Sequence, residues 1–233
     1  MVAEVDVDVS AVAALIASPA RAAMLDSLFD GGEQTAGALA RIAAVAPSTA
    51  SGHLTRLADG GLVVLERRGR QLWVRLAGPE VAEALEALSV VAPTRVATTL
   101  RGSSRAQALR TARTCYDHLA GTLGVRLADA LCAEGLLGRR DLSLTPRGER
   151  KLQAFGIDVA GLGSSSRPLT RSCLDWSEGR PHLGGAVGAA LCRELFTRGW
   201  IVRLPEPRAV RVTRSGEHGL ASTFGVVLDR AAV

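Results

Sequence analysis

Along the first ninety positions the apolar residues recur at helical spacing four times, then switch to strict alternation, then return to helical spacing. Positions 9–17 are apolar almost throughout and predict a short helix. Ser18-Pro19 follows, a capping residue with proline at the first helical position. The helix it opens over 19–29 turns Met24, Leu25 and Leu28 inward and stops at Asp30-Gly31-Gly32. Thr35 caps a third helix through Val45 with Leu39 and Ile42 facing in, and Pro47 opens a fourth. After Gly60-Gly61 the chain reads LVVLE, RRGR, QLWVRLA, a period-two pattern folded about Gly69 and therefore a β-hairpin. One more helix is expected over 79–88. Helix, helix, turn, helix, hairpin, helix is the order of a winged helix-turn-helix.

The fourth helix is unusual for a core element. In PSTASGHLTRLAD the apolar positions Ala50, Leu54 and Leu57 form one narrow stripe, and the rest is small, polar or basic. Ser48, Thr49, Ser51, Thr55 and Arg56 suit a surface that meets DNA bases and phosphates, and Arg67, Arg68 and Arg70 in the hairpin suit phosphates. His53 flanks the buried stripe and reads more readily as structural than as base-reading. Gly52 costs about 1 kcal/mol inside a helix relative to alanine. Close approach of the backbone to DNA would compensate for it, and simple drift is the alternative.

Charge sharpens the picture. Residues 1–39 carry six acids against Arg21 alone, whereas residues 40–76 carry six arginines against Asp59 and Glu66. The sign reverses where the polar helix begins. Lys151 is the one lysine, and arginine is the side chain for bidentate contacts to phosphate and guanine. At 233 residues, 47% hydrophobic and 22% charged, the chain has the make-up of a globular protein of one large or two small domains. No apolar run reaches the ~18 residues of a membrane span. The acidic start MVAEVDVDVS is unlike a secretion signal, so a cytoplasmic protein with no membrane partner is expected. Four scattered cysteines without a CxxC pair argue against a disulfide framework.

The run STASGHLTRLADGGLVVLERRGRQLWVRL, with SPARAAMLDSL upstream, resembles the recognition helix, wing and early helix of the ArsR family of bacterial repressors. The resemblance covers roughly residues 9–90. It implies a homodimer whose recognition helices enter successive major grooves of double-stranded DNA and read a palindromic operator. The DNA-contacting set it implies is Ser48, Thr49, Ser51, Gly52, His53, Thr55, Arg56, Arg67, Arg68 and Arg70. Position 52 departs from the family, which often has a larger polar or basic residue there. The family's two familiar metal sites are also missing: TAGALARIAAV has no Cys, His or acid, and PEVAEALEALSV has no His.

Beyond a basic connector at 91–113 lies an internal repeat. HLAGTLGVRLADALCAEGLL from His118 and HLGGAVGAALCRELFTRGWI from His182 share His-Leu, two spaced glycines, two leucines four apart and a closing glycine. Each leads to a similar element, LSLTPRGERKL or VRVTRSGEHGL. The fold class expected is mainly α with small β-hairpins (α+β). It comprises a winged-helix domain (1–90), a connector (91–113) and an effector or assembly domain (114–233) of two helix-hairpin units, 114–160 and 173–225.

Two polar clusters interrupt the repeats. Cys115 and His118, three apart on an expected helix, have metal-ligand spacing, and Cys173 with His182 would complete a four-ligand set by pseudo-symmetry. A thiophilic ion such as zinc, or a metalloid, would suit these donors. The alternative is that the cysteines are small buried hydrophobes and the Asp and His residues satisfy helix ends. Cys132 and Cys192 are read as core. A Cys–His–Asp nucleophile is formally available, but no oxyanion loop, phosphate-binding glycine motif or cofactor fingerprint accompanies it, so no enzyme is expected. The alternative reading of the C-terminal half is an oligomerisation or partner-binding module without a ligand.

Overall fold

The computed structural model describes residues 7–29, 31–93, 99–163 and 167–228, and the chain forms two compact units, divided between Leu85 and Glu86. Asp30, part of the expected stop after the second helix, lies outside the described residues.

In the first unit α1 (Val9–Ile16), α2 (Pro19–Ser27), β1 (Gln34–Thr35), α3 (Ala36–Ile42), α4 (Pro47–Asp59), β2 (Val63–Arg68) and β3 (Gln71–Leu76) follow one another. Ser18 stands at the N-cap of α2 but makes no side-chain capping bond, whereas Thr35 Oγ1 accepts from the Ala38 amide at the start of α3. The strands form an antiparallel sheet in the order β1-β3-β2, with Val63 opposite Leu76 and Arg68 opposite Gln71. Strand β1 was not foreseen. Two residues are too few for a periodicity, and only their pairing with Trp73 and Val74 reveals them. Met24, Leu25, Leu28, Leu39, Ala50, Leu54, Leu57 and Val74 are buried as the core.

Helix α5 (Pro79–Val91) spans the division between the units, so the boundary falls inside a helix and five residues before the expected one. The expected connector is also largely structured. Residues 94–98 of it lie outside the described residues, but α6 (Leu100–Thr111) is a helix whose capping Thr99 Oγ1 accepts from the Gly102 amide. Its apolar pattern is faint because none of its described side chains is fully buried.

The second unit then repeats one plan. In the first copy β4 (Arg113–Cys115) and β5 (His118–Ala120) form a tight hairpin, followed by α7 (Gly121–Ala133), a single bridge between Leu137 and Leu144, and α8 (Pro146–Ala154). After α9 (Val159–Leu162), the second copy has β6 (Arg171–Leu174), β7 (Pro181–Gly184), α10 (Gly185–Thr197), β8 (Ile201–Arg203), β9 (Val210–Val212) and α11 (Arg214–Phe224). Leu-Thr in the first copy and Val-Thr in the second lead straight into helices, which carry Gly148 and Gly216 in their first turns. Thr145 and Thr213 are the N-caps, and their hydroxyls accept from the amides of Gly148 and Gly216. The two copies interlock: α7 packs on β7 and α10 on β5. Leu119, Leu123, Leu127, Leu131, Leu183, Val187, Leu191 and Leu195 supply the common core. Cys192 is buried there, but Cys132 is only half-buried at its edge.

Candidate functional site

Helix α4 follows α3 after the turn at residues 43–46, in which Ala44 takes a positive φ of 51°. Burying Ala50, Leu54 and Leu57 leaves Ser48, Thr49, Ser51, Gly52, Thr55 and Arg56 exposed together. His53 is half-buried, its Nδ1 3.4 Å from Arg21 Nη1, and Arg21 in turn donates to the Ala14 and Leu15 carbonyls. This contact gives His53 a partner within the first unit. A Cβ added at Gly52 would meet nothing within 4 Å. Gly52→Ala is therefore expected to stabilise the first unit by up to about 1 kcal/mol through helix propensity, read as a rise in thermal midpoint. A simultaneous loss of operator affinity would mark close backbone approach to DNA, and unchanged affinity would leave drift.

The wing arginines divide. Arg67, Arg68 and Arg70 are all exposed, but Arg68 donates to Glu33 at 2.6 Å and 3.1 Å and to Glu66 at 2.8 Å and 2.7 Å. Its guanidinium also lies 5.6 Å from the Trp73 ring. Arg68 thus ties the wing to the Glu33 segment, and its charge is already matched by two carboxylates.

The second unit brings Cys115, His118, Cys173 and His182 together, with one donor atom from each lying within 4.8 Å of all the others. The route differs from the expected one. Cys115 and His118 are not on a helix: they face each other across β4–β5, as Cys173 and His182 do across β6–β7. The helices begin three residues after each histidine, at Gly121 and Gly185, because the chain first turns, at Tyr116 (φ 58°) in one copy and through Gly179 (φ 64°) in the other, and closes a hairpin. Gly124 and Gly188 then permit the interlock. A Cβ at Gly124 would sit 2.5 Å from the Leu119 carbonyl oxygen and 3.5 Å from His182 Cβ, and one at Gly188 2.4 Å from the Leu183 oxygen and 3.3 Å from His118 Cβ.

The imidazoles are aimed at each other. Their Nε2 atoms are 3.2 Å apart, His182 Nδ1 lies 3.3 Å from Asp175 Oδ2, and His118 Nδ1 lies 3.4 Å from Asp117 Oδ1. Carboxylates behind both Nδ1 atoms favour Nδ1 protons in the neutral rings, which leaves the Nε2 lone pairs facing inward, whereas a charged His182 points an Nε2 proton at His118. Burial opposes charge on His182, but Asp175 and the Cys173 sulfur outweigh it and raise its pKa to about 8. The thiols are also paired: a hydrogen bond from Cys115 to the Cys173 sulfur holds Cys173 well below the ordinary thiol value and Cys115 well above it. Burial alone would raise Asp117, yet Arg167 and His118 bring it down to about 2.

Asp175 continues inward. Its Oδ2 accepts from Arg113 Nη2 at 2.9 Å and from the Gly121 amide at 2.7 Å, while Oδ1 accepts from Ser177. Arg113, fully buried, also lies 3.6 Å from Glu86 Oε1 and 4.4 Å over the Trp176 ring. Glu86 Oε2 is 3.4 Å from Arg208 Nη2, and Arg208 Nε donates to the Thr114 carbonyl at 3.2 Å. Arg113, Glu86 and Arg208 escaped the sequence reading. One arginine among many carries no mark of burial, but Glu86 did leave a trace, standing four residues after buried Ala82 on one face of α5.

A helix-turn-helix domain model matches residues 16–66. YdfF of Bacillus subtilis (strain 168), an uncharacterized HTH-type transcriptional regulator, is 39% identical over 212 residues, 90% of this chain and 94% of its own length. Among solved structures, NolR of Sinorhizobium fredii is 30% identical, over 35% of this chain and 81% of its own, with a TM-score of 0.33. The homodimeric winged helix-turn-helix DNA-binding domain Mb0332 of Mycobacterium bovis, a possible ArsR-family regulator, is 35% identical, over 36% of this chain and 76% of its own, again with a TM-score of 0.33. The exposed polar face of α4, the arginine wing and a relative matched along nearly its whole length lead to one conclusion: the chain belongs to the HTH-type transcriptional regulators, with a helix-turn-helix domain in its first unit.

Proposed function

We infer that this regulator is a homodimeric repressor that reads a palindromic operator and takes its signal in the second unit. The observation that carries the reading is the division of chemistry between the units. The first presents Ser48, Thr49, Ser51, Thr55, Arg56, Arg67 and Arg70 to solvent as a DNA-facing set, and the second gathers four ligand-type side chains in its interior. The reading assigns the chain no catalysis and places its work in the cytoplasm. Among the described residues no single helix is long and apolar enough to cross a membrane.

Dimerisation rests on surface that one chain leaves uncovered. Helix α1 has no buried residue, with Val9 71% and Val12 43% exposed, and α5 leaves Leu88 45% and Val91 77% exposed. A second copy covering them places two recognition helices on successive turns of the duplex. Sedimentation of the full chain at micromolar concentration is expected to give a dimer, and footprinting is expected to show two protected half-sites about one helical turn apart. A monomer, or a single protected half-site, would overturn this reading. An assembly module without a ligand is the alternative role for the second unit, and it predicts that operator binding answers to no small species.

A further inference from the structure

We propose that Cys115, His118, Cys173 and His182 form a tetrahedral site for a borderline divalent ion of the Zn²⁺ kind, whose occupancy is passed to α5 through Asp175, Arg113 and Glu86. This deepens the reading of the second unit as the receiver of the signal by naming the signal and its route.

The donor set selects the ion. Two thiolates and two imidazoles are a complete Cys₂His₂ complement. Trivalent metalloids prefer three thiolates, and the cluster offers two. A tetrahedral ion with nitrogen ligands at about 2.0–2.1 Å has an N–N edge of about 3.3 Å, and the histidine Nε2 atoms stand 3.2 Å apart. Two lone pairs facing at that distance repel unless a cation or a proton lies between them. The carboxylates behind the imidazoles are the outer partners that fix metal-ligating histidines. Arg167 in turn holds Asp117 through both carboxylate oxygens. All four ligands come from two pseudo-equivalent hairpins, so the ion would fasten the two copies of the repeat to each other.

The route is a continuous set of buried charged contacts. His182 rests on Asp175, Asp175 on Arg113, and Arg113 lies 3.6 Å from Glu86. Glu86 sits on α5, the helix whose first turns belong to the winged-helix unit. Drawing His182 onto an ion shifts the partner of Asp175 and thereby the balance at Arg113 and Glu86. Arg113 and Glu86 are positioning residues here and touch no ligand atom.

The experiment uses the reduced full-length chain with Zn²⁺, and with Co²⁺ as a visible stand-in. Expected are one ion per chain and a Co²⁺ spectrum with tetrahedral ligand-field bands and thiolate charge transfer. Cys173→Ser should lose the charge-transfer intensity, whereas Cys132→Ser, outside the cluster, should keep it. An octahedral spectrum, no retained ion, or equal loss in Cys132→Ser would overturn the site. So would a reduced chain that takes up no ion but joins Cys115 to Cys173 in air, which would mark a thiol-oxidation sensor. For the route, Zn²⁺ should change operator affinity by roughly 5- to 150-fold in the parent chain. Glu86→Gln should keep the ion and the ion-free operator affinity but cut that change below about threefold, with Glu86→Asp restoring part of it. An undiminished response in Glu86→Gln, or a parent chain that binds Zn²⁺ with no change in operator affinity, would overturn the route. Failure of the ion-free parent to bind any palindromic DNA would instead overturn the repressor reading, and the Co²⁺ spectrum would still judge the site.

Discussion

Arg113→Ala is expected to destabilise the second unit by about 3–5 kcal/mol, the usual cost of removing one partner from a buried ion pair. The side chain is fully buried and faces two acids, Asp175 and Glu86, so its loss strands both. It also takes away the guanidinium stacked on Trp176 and the donor to the Leu109 carbonyl. Urea unfolding of the full chain, followed by fluorescence, should show the loss in the second unit's transition. Arg180→Ala is the control: its pair with Asp129 is about half exposed on both sides and should contribute under about 1 kcal/mol. Acid gives the same test a sign. Burial pushes the Asp175 carboxyl up, but His182, Arg113 and Ser177 together hold it well below the usual carboxylate range. A carboxyl whose folded pKa is depressed contributes stability that is present above its unfolded value, near 3.9, and is lost as pH falls through the folded value. Without Arg113 the depression weakens, so the acid-unfolding midpoint should move to higher pH. An Arg113→Ala chain as stable as the parent would show that the buried charges are matched elsewhere.

The winged-helix unit was largely legible because its local signals agree. Pro47 opens α4, the Ala50-Leu54-Leu57 stripe orients it, and alternation with Gly69 closes the hairpin. In the second unit the repeat, both glycine pairs and the meeting of two Cys/His pairs were also legible, because pseudo-symmetry carries one copy's contacts onto the other. The local structure of those pairs was not. A spacing of three fits one helical turn, and it equally fits two residues opposed across a two-residue turn. Only the strain taken up at Tyr116 and the pairing of Arg113 with Ala120 decide between them. The buried charge network was hidden for a different reason. Arg113, Glu86, Asp175 and Arg208 are far apart in sequence, and each looks like any solvated charge until the fold removes its water.

Replacing both Arg67 and Arg70 with alanine is expected to weaken binding to cognate and random duplexes alike. If each neutralises one phosphate, the slope of log affinity against log salt should shrink by about 1.8, and affinity near physiological salt should fall roughly 30-fold. Arg56→Ala should behave differently. On the exposed face of α4 it can reach a base edge, and its loss should cost about 1–3 kcal/mol of discrimination between cognate and random DNA. Arg68→Ala separates charge from architecture. The sequence puts Arg68 with its neighbours, but Glu33 and Glu66 already neutralise it and Trp73 stacks beneath it. Its removal should change the salt slope by well under one unit while loosening the wing, so any affinity loss should persist at all salt concentrations. Salt titrations of the three variants on one cognate and one scrambled duplex decide the matter. A slope change in Arg68→Ala as large as half that of the double variant would mean that Arg68 leaves its carboxylates for the DNA backbone. Glu33 and Glu66 would then be competitors that hold the wing in reserve rather than parts of its frame.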